Sequence, residues 1–256
     1  LEKEGKYIYC IIADGNQKKF GPIGIDGTEL ELYTISYKNI SAVVSNSHKE
    51  KYEPWREYLF AHEKAIETVM KSHPVLPVRF STIAESDQSI KKILENKYDS
   101  FVELLKYIQD KKELGLIAKI DMNIICHDIL EKNEEIRYLK EKIEVLPASA
   151  SYYKRVEIGR LVEAALEKEK EAYKTEILKT LSPLALEARS NKVYGQQMLI
   201  NAAFLIHKQK ETQFEQRVEE LADIHINKIK YKLLKVIPPY NFINLVIQTG
   251  SYNVFN

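Results

Sequence analysis

Residues 62–84 read HEKAIETVMKSHPVLPVRFSTIA, and their period changes partway. Ile66 and Val69 continue a face begun by Trp55, Leu59 and His62, at the three- and four-residue steps of one helix side over residues 53–72. Pro54 suits a first helical turn. Residues 75–80 are short, apolar and interrupted by proline, which predicts a strand. In that strand Leu76, Val78 and Phe80 face one way, and Val75, Pro77 and Arg79 the other. Pro77 has no amide to give a ladder, so the strand is expected at an edge or an end.

Working outward, residues 7–13 (YIYCIIA) predict a strand buried on both faces. Residues 14–27 are rich in glycine and turn formers and predict a loop. Residues 29–37 and 40–46, joined at Lys38-Asn39, predict a β-hairpin. Residues 86–109 predict one helix, with Ile90, Leu94, Phe101, Leu105 and Ile108 inward and Ser86 or Asp87 as its cap. Residues 114–122 predict a further strand. This order implies an α+β domain, a mixed sheet with helices on one face, over residues 1–122.

Beyond it the texture becomes helical. Ile125, Ile129, Ile136, Leu139, Ile143 and Leu146 share one face over residues 123–146. PASASYY at 147–153 is expected to break that helix, and a second long one is expected at about 154–181. A strand within 191–208, a helix at 211–227 with Phe214, Val218 and Leu221 inward, and a strand from 231 complete the reading. Residues 123–256 thus form a helix-rich second α+β domain with an apolar tail containing Phe242, Leu245, Val246 and Ile247.

The 256 residues carry 38 Lys+Arg against 37 Asp+Glu, so no global field draws the chain to nucleic acid or an anionic membrane. No apolar run approaches the ~20 residues of a membrane span, and the first residues do not read as a signal peptide. Cys10 and Cys126 are far apart and fit a reducing cytoplasm. Tyrosine is abundant, 16 against 8 Phe, which suits half-buried strands and contact surfaces.

Catalytic company is missing from the motifs. His62-Glu63 opens like a zinc-protease helix, but Ile66 stands where the second histidine belongs. His62 is therefore expected as a core or domain-facing histidine with a hydrogen-bond partner. Gly15, Gly21, Gly24 and Gly27 lack phosphate-loop spacing, and the six histidines form no ligand pair. No cofactor or metal is expected. Arg79 is expected in a structural ion pair or a domain-joining contact rather than a ligand site. An enzyme with an unrecognised small-molecule site and a protein acting through a surface both fit, and the missing constellations favour the surface.

Residues 62–84 also resemble the signature of the gas vesicle GvpF/GvpL family, in which a His-Glu pair opens a helix and a Pro-Leu/Val-Arg-Phe-Gly-Thr segment follows. Ser81 stands here in place of the usual glycine. LGLIAKIDM (114–122), VEIGRLVEAAL (156–166), LINAAFLI (199–206) and VIPPYNFINL (236–245) keep the family's order, though Met122 follows Asp121 where an aromatic is usual before it. The resemblance implies two modified ferredoxin-like α+β domains. It implies a cytoplasmic, non-enzymatic accessory protein that contacts the hydrophobic gas vesicle shell protein, together with other accessory proteins, and assists nucleation or assembly, as a minor vesicle component. Pro77, Arg79, Phe80, His62, Glu63, Tyr7, Tyr9, Tyr33 and Tyr37 are the candidate contact or structural residues.

Overall fold

β1, Gly5–Ile12, has its last six residues buried, as an apolar run central to a sheet must be. The computed structural model describes residues 4–144, 147–243, 245 and 247. The expected loop at 14–27 contains a strand, β2, Lys19–Gly24. Its register against β3, Gly27–Tyr37, shifts twice, and Gly21 there has φ 97°. Such bulges and Pro22 are tolerated because β2 is an outer strand, and they erase the alternation a sequence pattern needs. β4, Ile40–Ser47, follows β3 after a turn in which Lys38 takes φ 52°.

Helix α1, Arg56–Met70, leads to β5, Val75–Pro77, and β6, Ile83–Ala84. Both pair with β1, giving the order β2-β3-β4-β1-β5 with β6 also on β1. The recorded pairings of this sheet are all antiparallel, not mixed as expected. For β3 and β4 the two-residue connection at Lys38-Asn39 permits nothing else. The expected helix over 86–109 is two, α2 (Asp87–Asn96) and α3 (Tyr98–Ile108), divided at Lys97. Ser86 caps α2 by accepting from the Ser89 amide at 3.2 Å.

Helices cover both faces of this sheet, not one. Ile40, Ala42 and Val44 of β4 share a cluster with Ile90 and Leu94 of α2 and Phe101 and Leu105 of α3. Val43 between them joins Ala65, Ile66 and Val69 of α1 on the opposite side. A strand alternates its side chains, so an apolar residue at every position needs an apolar cover on each side.

β7, Lys111–Ile120, opens the four-stranded sheet. Asp121 ends the strand and caps α4, Met122–Lys132, accepting from the Asn123 and Ile124 amides at 3.1 and 3.3 Å. Asn133 leaves helical geometry at ψ 107° and accepts from the Ile136 amide at 3.1 Å. One residue thus ends α4 and caps α5, Glu134–Glu144, where a continuous helix was expected. Leu146 lies outside the described residues. Pro147 stands between α5 and α6, Ala148–Leu181, so the break expected at PASASYY is there, but the long helix begins at 148 and not near 154, as proline at a helix entrance allows. After it come β8 (Glu187–Ser190), β9 (Met198–His207), α7 (Glu211–Ile224) and β10 (Ile229–Ile237), in the sheet order β10-β7-β9-β8. Leu114, Leu116 and Ala118 of β7 share one core with Ile125, Ile129, Ile177, Phe204, Phe214 and Leu221.

By its contacts the chain divides into two compact units, Leu1–Glu113 with Val236–Asn256, and Leu114–Lys235. The expected boundary at 122 therefore falls after a strand that belongs largely to the second unit, and the tail rejoins the first. Ile243 and Leu245 are buried beside Phe101 and Leu105, and Glu113 accepts from the Asn241 backbone and side-chain amides at 3.1 and 2.6 Å. Those contacts hold the tail in the first unit. Val246 lies outside the described residues.

Candidate functional site

Four of the sequence candidates, Tyr7, Tyr9, His62 and Phe80, meet on the α1 side of the first sheet. β1 presents Tyr7 and Tyr9 at alternate positions, and α1 presents His62 with Ala65, Ile66 and Val69. The His62 ring lies 5.6 Å from Tyr7, 5.7 Å from Tyr9 and 5.7 Å from Phe80.

Each polar side-chain atom of this cluster has at least one partner. His62 Nε2 lies 3.2 Å from the Val78 carbonyl, which can only accept, so Nε2 carries the proton. Tyr240 Oη is within reach of the same nitrogen at 3.0 Å. Nδ1 is then an acceptor for the Tyr7 hydroxyl at 3.0 Å, and Tyr7 Oη accepts from the Ser81 amide at 2.9 Å. Burial holds His62 down to about 4, and its bond to the Val78 carbonyl opposes this only in part. Burial likewise pushes the Tyr7, Tyr9 and Tyr240 phenols well up. These groups are neutral and matched, which makes a framework and not a proton-transfer site.

Tyr52 extends the framework, bonded to Asp26 and to Ser47 Oγ at 3.0 Å. Its amide donates to Ser81 Oγ at 2.9 Å. Ser81 itself stands at φ 62°, a conformation that glycine adopts at no steric cost. Tyr52 and Tyr240 were not singled out from sequence. Each is one tyrosine among many until the fold brings it to His62 or Asp26.

The other candidates are elsewhere. Tyr7 and Tyr9 are 0% exposed, so they are core residues with no surface to offer. β5 stops at Pro77, paired to Cys10, so Arg79 and Phe80 lie in a turn rather than alternating along a strand. Phe80 therefore packs beside Tyr7 and His62 instead of beside Leu76 and Val78. Arg79 is exposed, and its carbonyl accepts from Thr82 Oγ1 at 2.7 Å. Glu63 is exposed on α1, and burial followed by the nearby Glu67 raises its carboxyl. Tyr33 donates to Asn46 at 2.9 Å and Tyr37 to Glu95 at 3.1 Å.

The surface feature that sequence reading missed is on α1. Trp55 was expected inward, yet it is 60% exposed and stacks on Tyr58 at 5.9 Å. Phe60 is 66% exposed and Leu59 is partly exposed. The buried face is set by His62, Ala65, Ile66 and Val69; at 100° per residue Leu59 stands about 70° from its centre and Phe60 about 170°, on the outer side, while Trp55 is in extended geometry just before the first turn. In the second unit a cleft of about 300 Å³ lies between α4 and α6, lined by Asp128, Lys132, Lys168, Glu169, Tyr173 and Lys228 among others. Lys132 and Lys228 bond Asp128 at 3.0 and 2.7 Å and hold its carboxyl down to about 2. Among the described residues no group of three His, Cys, Asp or Glu is placed to hold a metal. No helix of the described residues is long and apolar enough to cross a membrane.

A model of the family described as gas vesicle synthesis protein GvpL/GvpF matches residues 5–244. Gas vesicle protein F of Microcystis aeruginosa is 26% identical over 94% of this chain and 99% of its own length. Gas vesicle protein F of Dolichospermum flosaquae is also 26% identical, over 93% and 97%. The crystal structure of GvpF from Anabaena sp. superposes with a TM-score of 0.80 at 23% identity, covering 95% of this chain and all of the other. That of Microcystis aeruginosa GvpF superposes at 0.73, with 25% identity. The family is one of gas vesicle proteins and is not a known enzyme family. With a family model spanning all but the ends and the same α+β fold in its solved relatives, this chain belongs to the GvpL/GvpF family of gas vesicle synthesis proteins.

Proposed function

We propose that the protein is a cytoplasmic accessory factor that binds the hydrophobic gas vesicle shell protein and assists its nucleation or assembly. The observation that carries this reading is the exposed apolar group at the start of α1, Trp55, Leu59 and Phe60. Exposed aromatic residues gathered on one helix, rather than scattered, are the usual mark of a protein-contact surface. Trp55 and Phe60 are the large side chains expected to dominate such a contact. The matched framework of Tyr7, Tyr9 and His62 lies under the same helix and holds it in place. Tyr7 and Tyr9 thus act by fixing the contact helix, and not by touching the partner.

Physically, an apolar shell subunit must be covered until it joins a growing wall, and an exposed apolar group on a rigidly held helix can cover it. The test is co-sedimentation of purified shell protein with the full chain. Shell protein retained in the supernatant in proportion to added chain is the expected result. Shell protein that pellets regardless of the chain excludes the reading.

A further inference from the structure

Outer strands invite pairing with other chains unless something blunts them. In the first unit β2 is bulged and carries Pro22, and β5 is three residues long. In the second, β10 carries Lys230, Lys232 and Lys235. β8 is different. It pairs with β9 on one side only, all four of its residues are exposed, and it has neither proline nor lysine. Exposed Leu186 precedes it, and exposed Val193 and Tyr194 follow in the loop to β9.

The backbone phase of β8 is readable. The Asn191 amide donates to Asn201 at 2.7 Å, in register with Arg189 opposite Ala203 and Glu187 opposite Leu205. Within β8 the odd-numbered residues therefore turn their amides toward β9, as Leu186 just before it also does by donating to Leu205 at 2.8 Å, and Ala188 turns its N–H and C=O to the open side. Now let a second β8 run antiparallel along that side with Ala188 opposite Ala188. The two Ala188 residues exchange both backbone bonds. Glu187 of each copy comes opposite Arg189 of the other, on the same face and in the closer, non-hydrogen-bonded pairing. Within one copy Arg189 bonds Glu187 at 3.2 Å, so both side chains already lie on that face. The sequence Glu-Ala-Arg is complementary to itself when reversed, which is what a two-fold interface requires.

We propose that β8 is a self-pairing edge through which two copies of this chain join their four-stranded sheets across a two-fold axis. Sedimentation equilibrium of the full chain over a concentration series tests it. The expected result is a monomer–dimer equilibrium that weakens as salt is raised. Glu187→Arg and Arg189→Glu each place like charges opposite one another twice, and each is expected to weaken the dimer about tenfold or more. An equimolar mixture of the two variants restores it, because each copy then supplies the charge the other needs. A wild-type chain that stays monomeric overturns the proposal, and so does a dimer indifferent to salt. A mixture no better than either variant alone also overturns it, and the salt series needs no substitution.

Discussion

Acid should weaken the first unit through His62. In the folded chain the ring is neutral, with Nε2–H toward Val78 and Nδ1 accepting from Tyr7. Protonating Nδ1 would set two donors, His62 and Tyr7, against each other in a buried site. The ring titrates at about 4 when folded and near its ordinary 6.5 when unfolded, so the unfolded chain binds the proton more tightly. Stability therefore rises with pH. The full contribution is present above 6.5 and is lost as pH falls toward 4. From those two values the loss between pH 8 and pH 5 is about 2 kcal/mol, and about 3 kcal/mol below pH 4. That is a large share of the 5–15 kcal/mol typical of a whole domain. Urea unfolding at pH 8 and pH 5 measures it, in wild type and in His62→Gln, with fluorescence of Trp55 and circular dichroism as probes. Other titrating groups are common to both proteins and cancel in the difference. The variant is expected to be weaker at both pH values but to lose about 2 kcal/mol less than wild type on acidification. Equal losses in the two proteins would refute the assignment of a buried neutral histidine.

Substitutions at two positions probe the turns that frame this unit. A Cβ on Gly15 would meet the Lys38 carbonyl oxygen at 2.1 Å and Asn39 Cα at 3.1 Å, both backbone atoms of the β3–β4 turn. Gly15→Ala is thus expected to cost about 2 kcal/mol and lower the melting temperature by several degrees. At Ser81, glycine relieves the left-handed strain but loses the acceptor for the Tyr52 amide, two effects of about 1 kcal/mol each, so Ser81→Gly should melt near wild type. Ser81→Val keeps the strain, adds β-branching and loses the acceptor, and is expected to melt well below both.

The buried elements were legible because burial leaves a periodic mark. β1, β4, α1 and α7 follow directly from runs and stripes such as Ile40–Ala42–Val44 and Phe214–Val218–Leu221. β2 and β8 left no such mark. One is bulged around Gly21 and the other is exposed along its whole length. Lys97 and Asn133 divide helices whose apolar stripes run on past the break, so periodicity alone could not place the divisions. The site was half legible. His62 was expected to find a hydrogen-bond partner, and it has Tyr7. Tyr7 and Tyr9 stood among the contact or structural candidates; the strand that carries them is covered on both faces, as its apolar run predicts, so they are core residues. Trp55 and Leu59 fit an inward stripe by spacing, yet Trp55 precedes the first turn in extended geometry and Leu59 lies at the edge of a stripe narrower than the spacing implied.

The claim that α1 carries the contact with the shell protein meets its most direct test in one affinity comparison. Full-length wild type, Phe60→Asp and Tyr153→Asp are titrated against purified shell protein, each first shown to melt like wild type. Both substituted side chains are highly exposed, at 66% and 81%, and both changes introduce the same charge. Phe60→Asp is expected to weaken binding tenfold or more, as loss of an interface anchor does, while Tyr153→Asp on α6 leaves it unchanged. Equal affinity in all three proteins, or loss only with Tyr153→Asp, would contradict the account.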